Sequence, residues 1–573
     1  MPPRRRSMVA ILAVAFASAI GVTVVAPHSG VIPAAGQHGA TSALGPSFGP
    51  TTPPASSPPP GTEISADIVV YGATPSGILA AVSAARLGAS VALVTPEAQV
   101  GGMMTSGLDH ADVGQPMLIG GLTRAVFDRI ARAEKARGAR APAAGWNAEP
   151  HVAAAVFSTL LSEAHVAVYL DLHLDRTGPP ELDGNRIVAI RRTDGTRFRG
   201  SAFIDASYEG DLMAAAGVPW TIGRESVTTY GEPLAGVHVG DPDAVAADLV
   251  SGVDLVGQAV PGAEAGAVVA GSADGLVQAA TYRLCVTDVG SNRRPFTEPP
   301  GYDPSAYVLV GRSIAIDRQL TGGPPRLSTF LSFERLPGGK ADLNSHGLYS
   351  TDLVGGNDGW ATADDGARRA IAERHRAWVS GLLWYLGTDP GVPAPIRRSM
   401  ARWGLCADEF RATGGWPPEL YVREARRMVG SVVLTQQDLQ VDVTQPGAIA
   451  LGTYRIDAHY VRRVLGADGL VRGDGQLSAP TAPYEIPYAA IVAPAGSVDN
   501  LLVSVAISAS HVAWSSVRTE PTLMEIGEAA GVAAALAARD GIGVREVPTT
   551  DIRSGLLANG AILSVPGGRR RAP

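Results

Sequence analysis

Residues 68–71 (Ile-Val-Val-Tyr) form an uninterrupted apolar run that ends at Gly72, and the alanine-rich stretch from Gly77 to Arg86 follows it. After Leu87-Gly88 a second apolar run, Ser90 to Val94, begins. Runs of this length bounded by glycine turns read as strands buried on both faces, with a helix between them. The pattern then predicts helices over 122–137 and 151–164, an apolar strand over 166–170, and a hairpin. The hairpin arms are 186–193 and 196–199, with Asp194-Gly195 as the turn. It leads into another buried strand, Ala202 to Ala206. From about 221 to 480 the chain is rich in loops, tryptophans and scattered charges, with one long helix from Asp364 to about Leu386. The early style returns with an apolar strand over 500–507 and a small-residue helix over 522–539. No internal repeat is visible.

The turn Gly72-Ala73-Thr74-Pro75-Ser76-Gly77 between strand and helix has the form of a dinucleotide-binding βαβ opening. Its first glycine permits the tight turn, Gly77 allows close packing of helix on strand, and the helix N-terminus faces a pyrophosphate. Thr74 stands where the middle glycine of G-x-G-x-x-G is usual, and a ligand-free parallel βα turn would also use glycine here. The acidic residue that normally ends the second strand is absent; Thr95 and Glu97 are the two groups able to meet an adenosine ribose. A second glycine loop, Gly101-Gly102-Met103-Met104-Thr105, follows closely. Flavoproteins use such a loop to bring backbone near the ribityl chain, so the reading favours FAD over NAD. The cofactor set is then Gly72, Thr74, Pro75, Ser76, Gly77, Thr95, Glu97, Gly101, Gly102, Met103 and Thr105.

With 573 residues, 46% hydrophobic and 18% charged, the chain is long enough for two globular domains. A net charge of −7 offers no footprint for nucleic acid. Cys285 and Cys406 lie far apart and form no C-x-x-C, which argues against a disulfide reductase and a thiolate metal cluster. Two buried thiols are expected, with one disulfide open if the protein is exported. Arg4-Arg5-Arg6 precedes nineteen uncharged residues, Met8 to Ala26. This is a signal or signal-anchor segment (1–26), compatible with twin-arginine export, and it makes the protein secreted or membrane-anchored through that segment alone. A Pro/Ser/Thr/Gly-rich linker occupies 27–62.

Four segments together resemble the FAD-dependent oxidoreductase family with a glutathione-reductase-type FAD domain: the N-terminal βαβ with Gly101-Gly102; Phe203 to Leu212; Tyr421 to Met428; and Ser508 through Pro521 to the last helix. The resemblance implies an α/β fold, a Rossmann-like FAD-binding domain (63–220 and 481–545) with an inserted α+β substrate domain (221–480), and a C-terminal tail (546–573). It implies FAD as cofactor and a redox reaction on a small molecule, with electrons passed to O2, a quinone or another acceptor. The departures at Thr74 and Thr95 fall on the adenosine side. A lyase or hydratase with non-net-redox flavin, and a flavin-free binding scaffold, stay open.

Several residues fit the chemistry. Asp205 ends the 202–206 strand, where it meets cofactor hydroxyls or caps the next turn. Glu209 and Asp211 suit the N-terminal turn of the short helix that follows. Gly527, Ala530 and Gly531 either admit the flat flavin ring or serve close helix packing. Oxidising a C–OH or C–N centre needs a base, for which histidine is suited near neutral pH. His511, in the segment resembling the flavin-proximal motif, is the first candidate and His459 the second. Arg518 could hold a substrate carboxylate or the flavin C2 carbonyl, or pair with Glu520. Arg423, Arg426 and Arg427 are expected to pair with Glu424 and its neighbours. His110 with Asp109 and Asp112 has poor spacing for metal ligation, so no metal site is expected. Trp378, Trp384, Trp403 and Trp416 line a pocket or pack in the core.

Overall fold

The computed structural model describes residues 58–138, 145–240, 247–266, 268–323 and 326–565. The N-terminal arginines, the apolar run and the linker up to residue 57 lie outside them, as does the chain after 565. Among the described residues no helix is long and apolar enough to cross a membrane.

Five parallel strands form the central sheet, in the order Leu501–Val503, Ala202–Asp205, Ile68–Tyr71, Val91–Val94, Ala167–Tyr169. Alternation along the 68–71 strand explains its two coverings. Ile68 and Val70 face a helical layer with Ile78, Leu79 and Phe127, whereas Val69 and Tyr71 face Ile187, Ile190 and Phe198 of a small second sheet. That sheet contains the expected hairpin, Arg186–Arg191 against Arg197–Arg199, joined by Glu181–Asp183 and, in parallel, by Glu63–Ser65.

Helix Pro75–Arg86 begins with Thr74 as N-cap and proline at its first position, the pairing that helix starts favour. It packs along Glu520–Asp540, and the crossing needs small residues. A Cβ on Gly527 would stand 2.1 Å from the Ser76 carbonyl oxygen, and one on Gly531 2.1 Å from that of Ala80.

The inserted region is built on a five-stranded antiparallel sheet ordered Arg293–Pro295, Gly404–Cys406, Leu284–Thr287, Lys340–Ser345, Leu331–Leu336. Its core joins Leu284, Val286 and Leu343 to Val379, Leu382 and Leu386 of the helix Asp365–Thr388. Asp364 caps that helix by accepting from the Ala367 N–H at 2.7 Å. Cys285 and Cys406 are not two thiols: they are joined as a disulfide, with Cα atoms 5.7 Å apart. The strand register explains it, because Val286 opposes Leu405 and the preceding and following residues therefore face each other.

Two boundaries differ from the sequence reading. Residues 434–458 pack with the dinucleotide core, not the insertion: Leu434, Ile449, Ala450 and Ile456 share a cluster with Ala530 and Trp514. The stretch after 545 contains a helix, Thr549–Ala558, which buries Ile552 and Leu556 in that same core.

Candidate functional site

The first glycine turn is as tight as its residues suggest. Gly72 has φ +104°, and a Cβ there would lie 2.6 Å from the Ala206 carbonyl carbon and the Ser207 nitrogen. A Cβ on Gly77 would lie 2.0 Å from the Gly72 carbonyl oxygen. Thr74 replaces the middle glycine with a working side chain: its hydroxyl accepts from the Gly77 N–H at 3.1 Å and donates to the Ala206 carbonyl at 2.8 Å. Ser76 Oγ donates to Ser504 Oγ at 3.0 Å, tying the helix start to the chain beyond the 501–503 strand.

At the tip of the second strand the buried Thr95 hydroxyl accepts from the Ala73 N–H at 3.1 Å and donates to Glu97. The two candidates for the ribose thus act as one unit. Burial raises the Glu97 carboxyl to about 7 against the opposing Thr95 hydrogen bond, with Glu209 adding to the rise. The second loop passes through left-handed conformations at Gly101 (φ +106°) and Gly102 (φ +47°). Thr105 Oγ1 braces it by donating to the Val100 carbonyl at 2.9 Å, while Gln99 Nε2 donates to the Thr105 carbonyl at 2.8 Å. Met103 donates its N–H to Tyr208 Oη at 3.0 Å, and Tyr208 donates to Glu520 Oε1 at 2.5 Å. Glu520 Oε2 is buried without a partner. Glu97, Gln99, Met103, Tyr208 and Glu419 line a cavity of about 390 Å3 that also touches Trp360, Leu420 and Val422. Burial and then the Glu97 charge raise Glu419 to about 8; Ser106 Oγ donates to it at 2.7 Å.

Segment 419–423 is a partition. Glu419, Leu420 and Val422 line this first cavity, whereas Tyr421 and Arg423 line a second of about 660 Å3. Near-alternation of this kind follows from extended backbone, and Tyr421 exchanges backbone hydrogen bonds with Thr281. In the second cavity His459 Nδ1 lies 2.8 Å from Asp352 Oδ2, and its Nε2 is 3.8 Å from Asp457. Arg423 pairs with Asp352 at 3.0 Å; Arg518 pairs with Asp457 at 3.0 Å and donates to Tyr421 Oη at 2.8 Å. Burial and then the Arg423 charge push His459 below its ordinary value, although Asp352 opposes them. Burial would raise Asp352, but Arg423 and His459 hold it down to about 2. A neutral imidazole, oriented by a carboxylate and set in a polar cavity, is a proton acceptor.

The structure brings Arg518 and His459 together and separates His511 from both cavities. His511 is buried, its Nδ1 3.0 Å from both Glu424 oxygens and its Nε2 without a partner. Glu424 also pairs with Arg427, which reaches Glu225 at 2.5 Å. Arg518 does not pair with Glu520, and Arg426 pairs with Asp211 at 2.9 Å. Asp205 spends its carboxylate on the turn after its strand, accepting from Ser207 N–H at 3.0 Å, Ser207 Oγ at 2.7 Å and Met213 N–H at 2.7 Å. Gly527 and Gly531 face helix 75–86, and Ala530 is buried in the same core. The sequence reading missed Asp352, Arg283 and Glu419. No local motif marks them; the fold brings Asp352 to Arg423 and Arg283 to Tyr421, while Glu419, two residues before Tyr421, lines the other cavity.

The glycine cradle, the Thr95–Glu97 tip and the unpartnered Glu520 oxygen fit a bound dinucleotide. The FAD dependent oxidoreductase family model matches residues 67–556, and the chain belongs to that family, with FAD as its cofactor. Solved structures similar to parts of the chain include OxyS anhydrotetracycline hydroxylase from Streptomyces rimosus (13% identity, 28% of this chain, 36% of that one, TM-score 0.22). Two others are Thermovibrio ammonificans THI4 (16%, 28% and 66%, TM-score 0.20) and Mycobacterium smegmatis Sdh1 in complex with UQ1 (14%, 34% and 46%, TM-score 0.22). The chain thus spans only about a third to two thirds of their lengths. No curated protein matches the chain.

Proposed function

We propose that the protein oxidises a small organic substrate at a C–OH or C–N centre in the 660 Å3 cavity, with His459 taking the heteroatom proton. The observation that carries this reading is the His459–Asp352 pair in the cavity wall, with the imidazole held below its ordinary value by burial and Arg423. FAD supplies the hydride-accepting chemistry when bound. Gly72, Gly77, Gly101 and Gly102 give it close backbone approach, and Glu97 with Thr95 meets the ribose. Asp352 holds the His459 Nδ1 proton, which leaves Nε2 as the accepting atom. Arg518 and Tyr421, joined by a hydrogen bond, line the same cavity, with Arg518 on the Asp457 carboxylate that lies near His459 Nε2.

The Cys285–Cys406 disulfide supports a location outside the cytoplasm, since such bonds persist in oxidising compartments. This agrees with the reading of 1–26 as an export or anchor segment.

The test is anaerobic flavin bleaching by a panel of alcohols and amines, with the holoenzyme and its His459→Asn variant. Bleaching by the wild type that slows sharply in the variant supports the proposal. An unchanged rate in His459→Asn removes the base role, and product formed without flavin reduction at any stage supports a lyase-type reaction instead.

A further inference from the structure

The lining of the larger cavity narrows its ligand further. Seventeen described residues line it and none carries an aliphatic side chain; the groups are guanidinium, carboxylate, amide, hydroxyl, imidazole and three tyrosine rings. Such a wall is more polar than apolar, and an alkyl ligand would leave its hydrogen-bonding groups unused.

Charge decides among polar ligands. The three deep arginines are each neutralised: Arg283 by Asp342 at 2.5 Å, Arg423 by Asp352 at 3.0 Å and Arg518 by Asp457 at 3.0 Å. The other lining charges are Arg455 against Asp112 and Glu334. At each of the three paired arginines an anionic ligand would have to compete with an aspartate already in place. A cationic amine would likewise have to compete with a guanidinium for each of those paired aspartates. An uncharged ligand suffers neither penalty. The ion pairs also hold planar donors and acceptors in fixed orientations, as recognition of several hydroxyls requires. Arg423 and Arg518 both line this cavity, and the Nε of each is buried without a partner. Tyrosine rings can cover the C–H faces of such a ligand.

We propose that the cavity binds an uncharged polyhydroxylated substrate, a polyol or a sugar. This rests on the oxidation reading above, and the oxidised centre is then a C–OH carbon. Its hydroxyl proton would pass to His459, and FAD, when bound, would supply the two-electron acceptor for the hydride from the same carbon, leaving a C=O product. The cavity volume of about 660 Å3 lies within the roughly 300–1,000 Å3 usual for small-molecule sites.

The experiment is isothermal titration of the FAD-loaded protein with D-sorbitol, D-mannitol, myo-inositol and D-glucose. D-Gluconate and D-glucosamine, at constant ionic strength, are the anionic and cationic counterparts. At least one uncharged compound is expected to bind about tenfold or more tightly than both charged ones. Arg423→Lys, which removes the planar guanidinium from the wall, should weaken that binding, and so should the milder Gln476→Ala, with flavin content reporting that each variant is folded. Tighter binding of gluconate or glucosamine overturns the proposal, as does failure of all four uncharged compounds to bind. Anaerobic bleaching separates the two readings: a polyol that binds without reducing flavin sinks the oxidation and spares the substrate class. A charged compound that binds and bleaches does the reverse.

Discussion

The two cavities on either side of segment 419–423 use the same ionisable groups under opposite rules. On the Met103 side the carboxyls of Glu97 and Glu419 are buried with hydroxyl partners, and burial carries them to about 7 and about 8. On the Tyr421 side Asp352 is just as buried, yet it faces Arg423 and His459 and stays near 2. Neighbouring charge, not burial, separates them. The first cavity holds carboxyls that accept a proton near neutral pH. The second holds charges in pairs beside the His459 imidazole, which stays below its ordinary value. Cofactor retention and chemistry should therefore fail independently.

Gly77→Val should break the cofactor side outright, because the new Cβ would stand 2.0 Å from the Gly72 carbonyl oxygen. The purified variant is expected to be colourless, and a normal flavin spectrum would contradict the cradle. His459→Asn should break the other side alone, keeping flavin while turnover falls by about 10²–10⁴-fold. His511→Gln is the control that sharpens the contrast. It leaves Glu424 with a weakened partner in a sealed cluster, so the melting temperature should fall while turnover per bound flavin is kept. Lost turnover at full flavin content would return the base role to His511.

A subtler test uses pH. His459 must be neutral to accept a proton, so kcat/KM should fall as pH drops through its folded value, which lies below the ordinary 6.5. Asp352 favours the charged imidazole. Asp352→Asn should therefore move this acid limb to still lower pH and lower the plateau, a displacement that a purely structural loss would not produce. A limb that stays in place would show that His459 does not set it.

The cofactor half was legible because its signals are local. A buried strand, a glycine turn and an alanine-rich helix lie within 68–86, and their geometry follows from φ-permissive glycines and small residues in sequence order. The role of Gly527 and Gly531 could not be chosen from sequence, since small residues serve ring approach and helix crossing alike. The substrate half was mostly illegible. Asp352 and Arg283 lie far from Arg423 and Tyr421 in the chain, and only the fold of the inserted region assembles them. His459 was ranked below His511 because motif wording carries no information about which imidazole reaches a cavity. The disulfide depended likewise on a strand register that two cysteines 121 residues apart do not reveal.

The smallest expected effect separates the cavities in the apoprotein. Glu97 and Glu419 have folded values above their ordinary 4.5, so the fold favours their protonated forms. Their contribution is complete below about 4.5 and is lost as pH rises through about 7 and about 8. Asp352 has the opposite sign: its contribution is complete above 3.8 and disappears only as pH falls toward 2. Above about pH 6.5 the second cavity's Asp352 and His459 are both silent, and the melting temperature of the flavin-free protein should decline toward pH 8 because of the first. Glu419→Gln, which mimics the protonated carboxyl, should flatten the upper part of that decline; Glu520, raised to about 7, and Glu525, raised to about 8, retain their share. Scanning calorimetry at several pH values measures both slopes, and identical slopes in wild type and variant would mean that Glu419 is not held protonated by the fold.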